Sequence, residues 1–316
     1  MESDQLIPGN ILFSDSRTLQ TTDWINATIV LDLMTIDGAS ISGFVQTSAF
    51  EIVFVDTTIS CLRVFNRMYG QVYKFAGDCQ KEGTRDGINP LFTRPYSIIQ
   101  DNQTPCLFYV IEWFLPAVRM VTKSAVPHVA TLIKRYHRQY AFLTQSRDGK
   151  FLYLSHVEGL ERFNLVTNTS NDIISQSTHV SDHAMMYDSN IRALVGSIIL
   201  QNNFIILADY NRNILFLVDL TTNSTSTICT GVEGYRSGNA SFCQVNHPRS
   251  LLEMDGDIYV GEHGAISVLK GRIIYKMGLL VSAKQSVSYH RSPTRMYIIE
   301  RITKMQVLSM QQSEAY

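Results

Sequence analysis

The chain has 316 residues, of which 45% are hydrophobic and only 17% charged, and its formal net charge is −1. A chain so close to neutral has no basic field for nucleic acid or an anionic membrane surface, and its short cluster Lys134, Arg135, His137 and Arg138 reads as a solvated loop. No apolar run approaches the ~18 residues of a membrane span; the longest, residues 193–200, stops at Gln201.

In chain order, residues 10–20 (NILFSDSRTLQ) and 28–36 (TIVLDLMTI) come first, with strand character but no repeat of their own. A hairpin unit then recurs at residues 52–65, 107–121, 151–166, 204–219, 257–269 and 296–308. Its clearest copy, FIILADYNRNILFLVD at 204–219, reads as strand, polar turn, strand. Aligned on the residue that ends the first strand of each hairpin, the copies superpose Asp56, Glu112, Ser155, Asp209, Glu262 and Glu300, at spacings of 56, 43, 54, 53 and 38 residues. A further strand precedes every hairpin, beginning near Ala39, Arg94, Arg138, Arg192, His247 and Lys284, and a fourth follows from Gln71, His128, Ser224 and Gly271. A period of about 50 residues built from strands, with almost no helical periodicity, predicts an all-β fold. The expected architecture is a six-bladed β-propeller of four-stranded antiparallel blades, forming a single domain over residues 1–316. A blade cannot bury both faces of its sheet alone, so blades must stack. Residues 28–36 are expected to complete the last blade and close the ring; 10–20 would be an extra edge strand or half of a seventh blade.

Two stretches, GDCQKEGTRDGINPLFTRPYSI from Gly77 and TGVEGYRSGNASFCQVNHPRSL from Thr230, have a Gly-rich loop, an aromatic residue and a Pro opening the inner strand. They resemble the linkers between blades of NHL-repeat propellers, and ADYNRNILFLVD and VDTTISCLRVF, with Arg63, resemble that family's hairpins. Blades three and six lack both the Gly loop and the Pro. The loop has a physical reason: the chain must cross from the rim of one blade to the axis of the next, with Gly supplying positive-φ turns and Pro presetting the strand. The resemblance implies a platform for protein, glycan or RNA, or an enzyme such as an amidating lyase; related six-bladed folds include lactonases. Fold alone does not choose.

Propeller sites lie where inner strands begin and second strands end. Two residue sets fall there: the acids Asp56, Glu112, Asp209, Glu262 and Glu300, and the strand openings Arg94, Arg138, Arg192 and His247. The plain reading is a ring of partly buried salt bridges tying neighbouring blades; the sharper one is a polar funnel for a ligand or a divalent cation, calcium or zinc. His156 and His263 align one residue past the ring position, and His137 and His247 open the inner strands of the same two blades, so converging imidazoles are a second candidate metal set, although no HExxH spacing exists. Trp113 and Phe114 sit in a hairpin turn on the same face and suggest a contact surface, against local packing. No G-x-S-x-G elbow, P-loop, GxGxxG or CxxC is present, so no catalytic residue is assigned.

Five cysteines allow at most two internal bridges. Antiparallel third and fourth strands set Cys61 beside Cys79, Cys229 and Cys243 would staple the crossover after blade four, and Cys106 stays free. Five N-x-S/T sequons occur, at Asn26, Asn102, Asn168, Asn223 and Asn239, with Pro105 weakening the second. MESDQLIPGN lacks the apolar region of a secretory leader, so the chain is either cytosolic or a mature form with an added Met; bridges and sequons favour the second. The expected function is a secreted propeller that binds a protein, glycan or small molecule at its channel face. The alternative is a secreted lyase, lactonase or oxidase that uses the channel.

Overall fold

The computed structural model describes residues 11–14, 18–22, 27–32, 41–136, 138–156, 159–175, 194–199, 203–254, 257–263, 265–270 and 273–277. Three strands open the chain, β1 (Ile11–Ser14), β2 (Thr18–Thr22) and β3 (Ala27–Asp32), joined antiparallel in that order. Blade one holds β4 (Ile41–Gln46), β5 (Glu51–Asp56), β6 (Cys61–Asn66) and β7 (Gln71–Ala76). Blade two holds β8 (Pro95–Gln100), β9 (Leu107–Glu112), β10 (Ala117–Thr122) and β11 (His128–Lys134). Blade three holds β12 (Tyr140–Gln145), β13 (Phe151–His156), β14 (Gly159–Asn164) and β15 (Thr169–Ser175). Blade four holds β16 (Leu194–Ile199), β17 (Phe204–Asp209), β18 (Ile214–Asp219) and β19 (Ser224–Ile228). In blade five, the two-residue β20 (Gly238–Asn239) covers the outer edge of a meander of β21 (Ser250–Met254), β22 (Asp257–Glu262), β23 (Ala265–Lys270) and β24 (Ile273–Met277). All pairings within the blades are antiparallel.

The architecture is therefore a β-propeller of four-stranded antiparallel blades, with five blades rather than six and no closed ring among the described residues. The expected sixth copy, with Lys284 and Glu300, lies outside them. The single N-terminal strand expected at 28–36 is instead the third strand of the opening sheet, and residues 10–20 supply its first two. Two strands escaped the sequence reading. One is β15, whose sequence TSNDIIS is mostly polar because it forms an outer edge; the other is the very short β20.

The second strands are buried almost throughout, which explains why they read as unbroken apolar runs: each lies inside its sheet, and those of blades two to four also lie between two neighbouring blades. Blades stack in chain order. Val53, Leu62 and Val64 of blade one share a core with Ile98, Phe108 and Val110 of blade two. Blade two does the same with blade three through Ile111, Val118, Leu143 and Leu154. Tyr153 and Leu160 join Leu207 and Val218 across the next seam, and Ile206 and Leu215 join Val260 and Leu269 across the last. The inner strands stand side by side, β4 against β8, β8 against β12, β12 against β16 and β16 against β21. Gly43 allows the first of these approaches, since a Cβ there would lie 3.1 Å from the Tyr96 carbonyl oxygen. In blades one to four the inner strand bulges after its first residue, between Ile41 and Gly43, Pro95 and Ser97, Tyr140 and Phe142, and Leu194 and Gly196. This repeated bulge sits at the end of the blade where the crossovers arrive.

Candidate functional site

The second strands end, and the inner strands begin, on one face of the propeller, here called the crossover face. The last residue of each second strand is Asp56, Glu112, His156, Asp209 or Glu262, and all five are buried. Pairing with the inner strands fixes the equivalence: Asp56 faces Ile41, Glu112 faces Pro95, His156 faces Tyr140 and Asp209 faces Leu194. The sequence alignment is thus one residue out in blade three, where His156, not Ser155, holds the ring position. His263 follows Glu262 and is not the counterpart of His156. The cause is a short hairpin: β13 and β14 pair as far as His156 and Gly159, whereas Asp56 pairs with Cys61.

The arginines that hydrogen-bond to Asp56, Glu112 and Glu161 come from the acids' own blades, so the expected ties between blades through Arg94 and Arg138 are not the ones formed. The Asp56 carboxylate takes Arg63 at 3.2 Å. The Glu112 carboxylate takes Arg119 at 2.9 Å, and both side chains are fully buried. Arg119 also donates to Leu91 O, Arg85 O and Asp86, and its guanidinium lies 5.2 Å from the Phe92 ring, so it gathers the whole crossover loop into blade two. Burial pushes the Glu112 carboxyl up to about 7 against the opposing pull of Arg119. Asp209 is likewise raised by burial, with the Arg212 and Asn211 backbone N–H groups acting the other way. Glu262 accepts from the Ser267 hydroxyl and, at 2.7 Å, from the Asn246 N–H. Blade three carries its buried acid one strand further on: Glu161 accepts from Tyr140 Oη at 2.7 Å and Arg138 at 3.1 Å. Glu161 and Arg119 were missed from sequence. For the arginine there was a signal, because Asp56/Arg63 and Glu112/Arg119 share one seven-residue spacing.

Arg94 pairs with Glu82 at 3.7 Å and lies 4.4 Å over the Phe114 ring. Arg138 is held by Asp172 and Glu161, which raise its pKa further. His137, Arg192 and Glu300 lie outside the described residues. Phe114 is 55% exposed, whereas Trp113 is half-buried and its ring lies 4.7 Å from Tyr96.

The two Gly-loop crossovers end in the same geometry. Arg94 and His247 both have a left-handed backbone, φ 48° and 46°, directly before a proline. Just ahead of them, the Thr93 N–H donates to Glu112 and the Asn246 N–H to Glu262. The Arg94 N–H then donates to Ser60 Oγ and the His247 N–H to Asn213 Oδ1, side chains in the hairpin turn of the preceding blade. The buried acid and the neighbouring turn together over-determine a strained residue.

Around His247 a chain of hydrogen bonds fixes proton positions. The Tyr235 hydroxyl donates to the His263 carbonyl, so it can only accept from Asn246 Nδ2, at 2.7 Å. Asn246 Oδ1 then faces His247 Nδ1 at 2.6 Å, a geometry in which Nδ1 donates, and the Glu233 carboxylate lies 3.9 Å from the same nitrogen. The Tyr210 ring lies between this imidazole, 4.5 Å away, and the Arg249 guanidinium, 4.4 Å away. Among the described residues no three His, Cys, Asp or Glu side chains converge as metal ligands.

Both expected disulfides are present: Cys61–Cys79 with Cα atoms 5.1 Å apart and Cys229–Cys243 at 4.6 Å, and Cys106 is free and exposed. Each ties a Gly-loop crossover back to the blade it leaves.

No family model matches the chain, and no curated protein does. Solved structures do. A nidogen/laminin complex chain aligns with TM-score 0.61 and 10% identity, over 92% of this chain and 97% of that one. An auxiliary nutrient binding protein from Bacteroides ovatus gives TM-score 0.61 at 13% identity, covering 87% and 68%. Virginiamycin B lyase from Staphylococcus aureus gives 0.55 at 11%, covering 87% and 86%. At such identities the likeness extends to the fold alone, which is that of a β-propeller.

Proposed function

We propose that the chain is an extracellular, NHL-like propeller that binds a protein, glycan or small-molecule partner on its crossover face. In this reading the ring has six blades, with β1 to β3 and residues 284–308 supplying the last. One observation carries the binding role: the acids of the face are buried, while cation–aromatic pairs such as Arg94 on Phe114 stand at its surface. Exposed aromatic and Arg side chains are the usual anchors of an interface. The two disulfides fit an oxidising compartment. In support, one structurally similar chain was solved as part of a nidogen/laminin complex and another is an auxiliary nutrient binding protein. The test is to screen the purified, oxidised chain against panels of extracellular domains and soluble glycans. A bound partner should lose at least about tenfold in affinity with Arg94→Asn and Phe114→Ala. Unchanged affinity in both variants would remove this face from the proposal.

A second reading rests on His247. With Nδ1 engaged by Asn246, its Nε2 is the ring nitrogen left for a substrate, an arrangement suited to a general base in a lyase or lactonase. A compound consumed by the protein, but bound unchanged by a His247→Asn variant, would favour this reading over the first.

A further inference from the structure

Of the sequons, two occupy one structural position in neighbouring blades. Asn168 is the last residue of the turn between β14 and β15, and Asn223 is the last residue of the turn between β18 and β19. Their φ angles are 55° and 56°; the matching residue of blade one is Gly70, at 61°. In all three turns another side chain does the capping. Asn66 accepts from the Met68 and Tyr69 N–H groups, Asn164 from those of Val166 and Thr167, and Asp219 from those of Thr221 and Thr222. A left-handed turn therefore explains a Gly or Asn at the last position. It does not explain the hydroxyl two residues on, where blade one has Val72: Ser170 Oγ accepts from Arg135 at 2.8 Å, a structural role as well, whereas the turn gives Thr225 none. Both asparagines are exposed. Two other sequons, also exposed, have structural hydrogen bonds: Asn102 Nδ2, the sugar-acceptor atom itself, donates 2.8 Å to Ser146 O across a blade seam, and Asn239 lies in β20 with its Oδ1 accepting from Ser241 N–H. Asn26 is outside the described residues.

We propose that Asn168 and Asn223 are N-glycan acceptors, giving two sugars on adjacent blades at the end of the propeller opposite the crossover face. The side-chain amide nitrogen forms a bond to the anomeric carbon of a lipid-pyrophosphate-linked oligosaccharide. The carbon–oxygen bond to pyrophosphate breaks, the lipid pyrophosphate leaves, and the amide proton passes to a base of the transferase. No electron is exchanged. The glycans would cover one end and leave the crossover face open. The inference shares the extracellular setting of the proposed function but not its binding site, so partner binding and glycan occupancy succeed or fail separately.

The experiment is expression of the full chain behind a secretory leader in a glycosylating host, followed by peptide mapping with and without glycosidase; where secretion fails, translation into microsomes gives the same readout. The expected result is glycan on the Asn168 and Asn223 peptides, with Ser170→Ala and Thr225→Ala each removing one glycan while keeping the turn asparagine. Asn102 and Asn239 should be bare. Unmodified Asn168 and Asn223 in a disulfide-bonded product, or glycan at Asn102 or Asn239 instead, would overturn the proposal.

Discussion

Blades two and five receive the chain through the same kind of crossover, and they neutralise the acid beneath it differently. Glu112 and Glu262 each accept the N–H of the residue before the strained strand opening. In blade two the second partner is a fully buried arginine that also holds two loop carbonyls and Asp86; in blade five it is the hydroxyl of Ser267. In both blades the acid takes the backbone N–H that closes the crossover, which is the part of the arrangement the two share. An architectural carboxylate asks only for backbone N–H groups that must otherwise stay unpaired. Burying the charge is costly in blade two, where Glu112 Oε2 and Arg119 Nε are buried without a hydrogen-bond partner.

The largest expected effect comes from removing the difference. Arg119→Met strands Glu112 and the carbonyls of Arg85 and Leu91, and should cost about 3–5 kcal/mol in chemical denaturation. Ser267→Ala removes one bond to a charged group and should cost about 2 kcal/mol. Equal losses would mean that the arginine contributes nothing beyond the hydroxyl.

Next in size is a pH effect specific to blade two. The folded pKa of Glu112, about 7, lies above the value of about 4.3 in an unfolded chain. The folded state then binds more protons between those values, so stability falls as pH rises from about 4.3 to 7 and is level above. Glu112→Gln should flatten that part of the profile, recovering up to about 3 kcal/mol at pH 7.5 in the pH-dependent term. Melting curves across this window that superimpose in shape for wild type and variant would contradict the assignment.

The smallest effect tests what the two blades share. Ser60→Gly and Asn213→Gly keep the left-handed turn but delete the acceptor for Arg94 N–H or His247 N–H. Each should cost about 1 kcal/mol, and a loss in only one blade would break the equivalence.

How far the sequence led differs by feature. The blades were legible because second strands buried on both sides must be apolar runs, and the turns that close them must be polar. Cys61–Cys79 followed from strand order, since antiparallel neighbours leave few cysteines within reach, and Cys229–Cys243 from the long crossover that a bridge there would staple. The ring register in blade three was not legible. A hairpin two residues tighter shifts His156 into the place of an acid, and Ser155 and His156 are equally plausible strand ends until the pairing with Tyr140 is known. The outer strand β15 was hidden because an edge strand needs no apolar pattern.

The sequence by itself determined the repeat, the four-stranded meander and the positions where the chain must turn, since local periodicity and Gly, Pro and Asn chemistry act within a few residues. Only the tertiary structure decided which charge meets which. Arg94 and Glu112 fall close in any alignment of the blades, yet Arg94 turns outward to Glu82 and Phe114 while Arg119, one strand further out, fills the buried position. That choice depends on the loop that folds over blade two and removes water from the acid, a contact made between residues far apart in the chain.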